Sequence, residues 1–100
     1  MKIIIDQDLQ EIVPKFLEVR KNDFKNFITI LENNDKNKMK MFVHQVTGVS
    51  SGYGFNILAT MAKEIETLFL NNNPKEALKV AYKYQQTLNS LEIEYQEVED

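Results

Sequence analysis

Residues 58–69, Leu58-Ala59-Thr60-Met61-Ala62-Lys63-Glu64-Ile65-Glu66-Thr67-Leu68-Phe69, decide the fold class. Leu58, Met61, Ala62, Ile65, Leu68 and Phe69 recur at i, i+3, i+4, i+7, i+10 and i+11, the spacing of one face of an α-helix. Strand alternation cannot produce that series. Downstream, Asn71-Asn72-Asn73-Pro74 reads as a loop and a helix start, with Asn73 as cap and Pro74 at the first helical position. The helix that follows spaces Ala77, Ala81, Tyr84, Leu88, Leu91 and Tyr95 by fours and threes, as packing along a bundle seam requires. The tail Glu97-Val98-Glu99-Asp100 is expected to fray.

Upstream, Gly52-Tyr53-Gly54 marks a connection, preceded by a helix that Asp35 caps and that runs to about Ser51. Before it, Phe16, Leu17, Phe24, Phe27, Ile28 and Leu31 form one stripe, ending at Asn33-Asn34. Pro14 lies in the first turn of that helix and separates it from a short first helix capped by Asp6 and carrying Leu9, Ile12 and Val13. Ile3-Ile4-Ile5 is β-branched and too short to classify: extended, or a cap over the bundle end. The expectation is an all-α chain, an antiparallel four-helix bundle with a short extra N-terminal helix.

Composition narrows the function classes. One hundred residues make one domain, 1–100, with a single core. With 3 Gly and 2 Pro there is little to punctuate a many-stranded sheet. A net charge of −3 argues against nucleic acid, whose phosphates need clustered Lys and Arg. The absence of cysteine excludes disulfides and thiol chemistry. No apolar run approaches the roughly 20 residues that span a bilayer, and the start has no cleavable leader pattern. A cytoplasmic monomer is expected.

His44 is the only histidine. At about 100° per residue, Met39, Phe42, Val46 and Val49 fall opposite it, flanked by Val43 and Ser50. Lys40, Met41, Thr47, Gly48 and Ser51 share its side, which places the imidazole on the solvent face. A glycine inside a helix costs about 1 kcal/mol relative to alanine, so Gly48, one turn after His44, asks for a reason. Without a side chain there, a partner can approach the imidazole closely.

The run from His44 through Val46, Gly48, Ser50, Ser51, Gly54-Phe55, Leu58, Met61-Ala62 and Ile65-Glu66 resembles the histidine-containing phosphotransfer (HPt) domains of multistep phosphorelays. Val13-Pro14-x-Phe16-Leu17-x-x-Arg20-x-x-Asp23 is similar to the first helices of a single-domain branch of that family. The resemblance spans about residues 8 to 90. It implies a relay carrier rather than an enzyme: His44 accepts a phosphoryl group, through Nε2, from a receiver-domain aspartate and passes it to another receiver. The partners implied are response-regulator receiver domains, including those of hybrid histidine kinases. The receiver supplies Mg²⁺ and most of the stabilisation of charge; this chain needs no metal or cofactor.

One position departs from the family, which usually has a lysine three residues after the histidine; here it is Thr47. Lys40 on the same face, with the hydroxyls of Thr47 and Ser51, is the alternative support for a phosphoryl group. Met41 and Gly48 are the docking candidates, Met41 because an adaptable apolar side chain suits more than one receiver. The rival readings are a degenerate bundle that docks receivers without transfer and a structural bundle pairing through its last helix. A metal site from His44 with Glu64 or Glu66 has no closed ligand set, and serine catalysis lacks an acid–base partner.

Overall fold

The computed structural model describes residues 1–97. The tail expected to fray therefore lies largely at positions 98–100, outside the described residues. The chain is mostly helical, with one small strand pair. In order, it forms β1 (Lys2–Asp6), a 3-10 turn (Gln7–Leu9), α1 (Val13–Arg20), α2 (Asp23–Glu32), α3 (Lys36–Gly52), α4 (Asn56–Leu70), α5 (Pro74–Asn89) and β2 (Glu92–Gln96). α3 packs on α4, α4 on α5, α5 on α2, and α2 back on α3, closing a ring of four helices.

The ring encloses a core in which Phe27, Phe55, Phe69, Tyr84, Met39, Leu58 and Ile65 are fully buried. Each such side chain stabilises the fold by roughly 1.5–3 kcal/mol relative to exposure. Ring edges organise the interior: Phe27 meets Phe42 and Tyr84 edge-on at 5.0 and 5.5 Å, and Phe16 stacks on Phe55 at 5.0 Å. Of the expected stripe on α4, Leu58, Ala62, Ile65 and Phe69 are buried, while Met61 and Leu68 are half-buried.

The helix ends follow their chemistry. The Asp35 carboxylate accepts the Lys38 backbone N–H at 3.0 Å, capping α3 as expected. Asn34 and Asn72 take left-handed backbone angles, φ 49° and 61°, in the turns after α2 and α4. Asparagine tolerates that region better than other side chains, which accounts for the two asparagine runs. Gly54 has φ 90°, a backbone conformation that side chains rarely adopt, so the α3–α4 turn requires glycine; a Cβ there would also lie 3.1 Å from Ile5 Cδ1, a contact that a small shift of that side chain relieves.

Four expectations are corrected. The short first helix is a single 3-10 turn, although Asp6 does cap it by accepting the Asp8 N–H at 2.9 Å. The helix expected from Pro14 to Asn33 is two helices, α1 and α2, separated at Lys21-Asn22. The break leaves Arg20 folded back over the Phe16 ring at 5.5 Å while Asp23 turns inward. The last helix stops at Asn89, so Leu91 and Tyr95 do not continue its seam. Leu91 lies just before β2, and Tyr95 lies within it, paired in parallel with β1 in the register Lys2↔Glu92 to Asp6↔Gln96. Lastly, Val49 is 39% exposed, while Val43 and Ser50, expected to flank the stripe, are buried.

Candidate functional site

α3 delivers His44 to the surface because Met39, Val43, Val46 and Ser50, at spacings of four, three and four, bury the opposite side. The imidazole is exposed, as the helical phase predicts. Lys40, Met41, Gly48 and Ser51 are also exposed, and Thr47 is half-buried. Met41 is 74% exposed, the highest value among the large apolar side chains of the described residues.

Gly48 has open space around it. A Cβ built there meets no atom within 4 Å, so nothing inside this chain requires glycine at that position. The cost of an interior helical glycine is therefore not offset by packing. Thr47 is differently placed from the sequence expectation: its Oγ1 donates to the His44 carbonyl at 3.1 Å. That back-bond onto the helix engages the hydroxyl proton that was expected to support a phosphoryl group. Ser51 makes no such bond among the described residues.

Packing of α4 against α3 adds residues that sequence reasoning did not bring to the site. Lys40, Val43, His44, Lys63, Glu66 and Leu70 line one groove between the two helices. Lys63 was given no role; Glu66 was considered as the acidic end of the family-like run and as a metal ligand. On the other side of His44, Lys38, Met41, Phe42 and Gln45 form a mainly apolar hollow. The imidazole thus stands on a ridge between a charged groove and an apolar one. The signal that could have found Lys63 is its i, i+3, i+7 relation to Glu66 and Leu70, which defines a strip along one side of α4.

The charges in the groove are loosely held. Among the described residues the ion pairs are Lys2–Glu94, Arg20–Asp23 and Lys79–Glu76, so neither Lys40 nor Lys63 is paired with a carboxylate. Of the other α3 lysines, Lys36 donates to the Asn72 side chain at 3.0 Å, and Lys38 lines the apolar hollow. Among the described residues no group of three or more His, Asp or Glu side chains is arranged to hold a metal ion.

A second charged cluster lies inside the fold. The Tyr84 hydroxyl donates to Asp23 Oδ2 at 2.5 Å, and Arg20 Nε lies 3.2 Å from the same oxygen. All three residues are buried. Arg20 Nε and Nη1 have no hydrogen-bond partner among the described residues, so the contact to Asp23 is an ion pair without hydrogen-bond geometry. Burial pushes the Asp23 carboxyl above the ordinary range, outweighing the Tyr84 hydrogen bond and the Arg20 charge that act to lower it. Burial, then the Asp23 charge and the hydrogen bond to it, push the Tyr84 phenol up in turn. This cluster joins α1, α2 and α5 and does not open to the His44 face.

No helix among the described residues is long and apolar enough to cross a membrane. Comparison with protein-family models, curated proteins and solved structures found no match for this chain.

Proposed function

We propose that this chain is an HPt-like phosphorelay carrier with His44 as the phosphoacceptor. The observation that carries the reading is the exposed imidazole on α3 beside Gly48, whose missing side chain serves no packing role within the chain. The closed ring of α2 to α5, joined by turns of a few residues, favours an antiparallel four-helix bundle, the scaffold the resemblance implies. Met41 and the apolar hollow beside it offer an adaptable surface for more than one receiver.

The chemistry is an in-line exchange. A neutral imidazole nitrogen directs its lone pair at the phosphorus of a receiver's aspartyl phosphate. The new N–P bond forms as the P–O bond to the aspartate breaks, and the carboxylate leaves with the bonding pair. The proton on the other ring nitrogen can then pass to solvent. The reverse sequence loads the next receiver. Mg²⁺ and the groups that hold the phosphoryl oxygens in flight belong to the receiver's site.

The test is incubation of the chain with a receiver domain carrying radiolabelled phosphate. Acid-labile, alkali-stable label should appear on this chain and be absent from His44→Gln. If receivers bind but no label crosses, the chain is a docking bundle, a reading that the engaged Thr47 hydroxyl favours.

A further inference from the structure

We infer that Lys63, reaching across from α4, supplies with Lys40 the cationic site for the phosphoryl group on His44. The inference rests on the relay reading and assigns a role that position 47 cannot fill. Threonine carries no charge, and its hydroxyl proton is already directed at the His44 carbonyl.

Three facts converge on Lys63. It lines the same groove as Lys40 and His44, although it lies on a different helix. Among the described residues it has no carboxylate partner, even though Glu66, three residues on, lines that groove too. On α5 the reverse order, Glu76 then Lys79, does form an i, i+3 ion pair at 3.0 Å, the orientation that a helix favours. An ammonium without a carboxylate partner among the described residues, in a groove that His44 also lines, has its donors available for an incoming anion.

The charge balance gives Lys63 its weight. With both lysines and the Glu66 carboxylate ionised, the groove carries one net positive charge. A phosphoryl group brings about −1.5 to −2 at neutral pH. Remove Lys63 and the remaining Lys40 and Glu66 cancel, leaving nothing to attract the anion. Glu66 acts in the opposite sense, so neutralising it should favour the phosphorylated form.

Phosphoramidate tests this without any receiver. The His44 nitrogen attacks phosphorus, the P–N bond of phosphoramidate breaks, and ammonia leaves with the proton. Initial rates of phosphohistidine formation and ³¹P titration of the product are measured on the full chain. Lys63→Gln should slow formation about two- to fivefold at low salt, the size of an exposed charge contact. It should also raise the pH at which the bound phosphoryl group takes up its proton. Lys63→Arg should restore both, Glu66→Gln should move both the other way, and 0.5 M salt should shrink the differences. Lys75→Gln, outside the groove, should change neither.

Wild-type rates and titration in Lys63→Gln overturn the inference, as does failure of the folded wild type to form phosphohistidine. The receiver assay is run in parallel to separate the two claims. If label never crosses from a receiver while the Lys63 effects persist, the relay reading fails and the anion site stands.

Discussion

The molecule holds two clusters of charged and polar groups that invert one another. Arg20, Asp23 and Tyr84 are sealed between α1, α2 and α5, whereas Lys40, His44, Lys63 and Glu66 line an open groove between α3 and α4. Inside, the groups hold one another and two guanidinium nitrogens remain without hydrogen-bond partners. Outside, neither Lys40 nor Lys63 has a carboxylate partner among the described residues. The difference follows from solvent. A buried charge must find a partner or lose its ionisation, while water sustains an exposed one at little cost. The interior cluster is therefore a matter of stability and the groove a matter of chemistry, and mutations should separate them.

The largest effect belongs to Asp23→Ala. It leaves the Tyr84 hydroxyl without an acceptor and the Arg20 guanidinium without its counter-charge, and stability should fall by about 3–5 kcal/mol in urea unfolding. Asp23→Asn should cost less, because the amide oxygen still accepts from Tyr84 and burial already disfavours the carboxylate charge. The folded-state pKa of Asp23 lies above the unfolded value, so the carboxyl's contribution is full below about pH 3.9 and is lost as pH rises through the raised value. The advantage of wild type over Asp23→Asn should accordingly shrink from pH 4 towards neutrality. An advantage that grows would mean the Arg20 charge prevails over burial.

Tyr84→Phe comes next, at about 1–3 kcal/mol, since it removes the one hydroxyl donor to Asp23. At the groove the expected signs change. Gly48→Ala meets open space and gains helix propensity, so it should stabilise by about 1 kcal/mol. Gly48→Gln should remain folded and slow transfer by obstructing the imidazole. Transfer at the wild-type rate would remove the close-approach role. Smallest of all is the stability effect of His44→Gln, within about 0.5 kcal/mol, while phosphoryl acceptance is lost entirely. A large loss of stability there would mean that the groove, too, is structural.

The helices α3, α4 and α5 were legible because each carries a long apolar series at helical spacing. His44's exposure was legible for the same reason: one helix sets its own phase. The break at Lys21-Asn22 was not, because Phe24 lies seven residues after Leu17 and so keeps the helical phase across the polar gap, and neither residue is a strong breaker. The strand pair was hidden by ambiguity in a short segment. Leu91 and Tyr95 fit a helical spacing, yet Leu91, Ile93 and Tyr95 equally fit period two, and their partners Ile3 and Ile5 lie at the far end of the sequence. Lys63 was missed for a related reason. Its place beside His44 depends on how α4 slides and rotates against α3, which no local pattern encodes.

That strand pair also fixes the order of events in folding. The Met1 amine meets the Ser90 carbonyl 89 residues along the chain, and β1 and β2 pair beside them. Closing a flexible loop of that length costs about 4 kcal/mol in chain entropy from the length-dependent contribution alone. Five residues per strand recover little until helices have drawn the two ends together. The helices should therefore assemble first, with the strands joining last and parting first. Native-state hydrogen exchange reads this directly: the Ile3 and Ile5 amides should open at lower free energy than those of Ile65 and Tyr84.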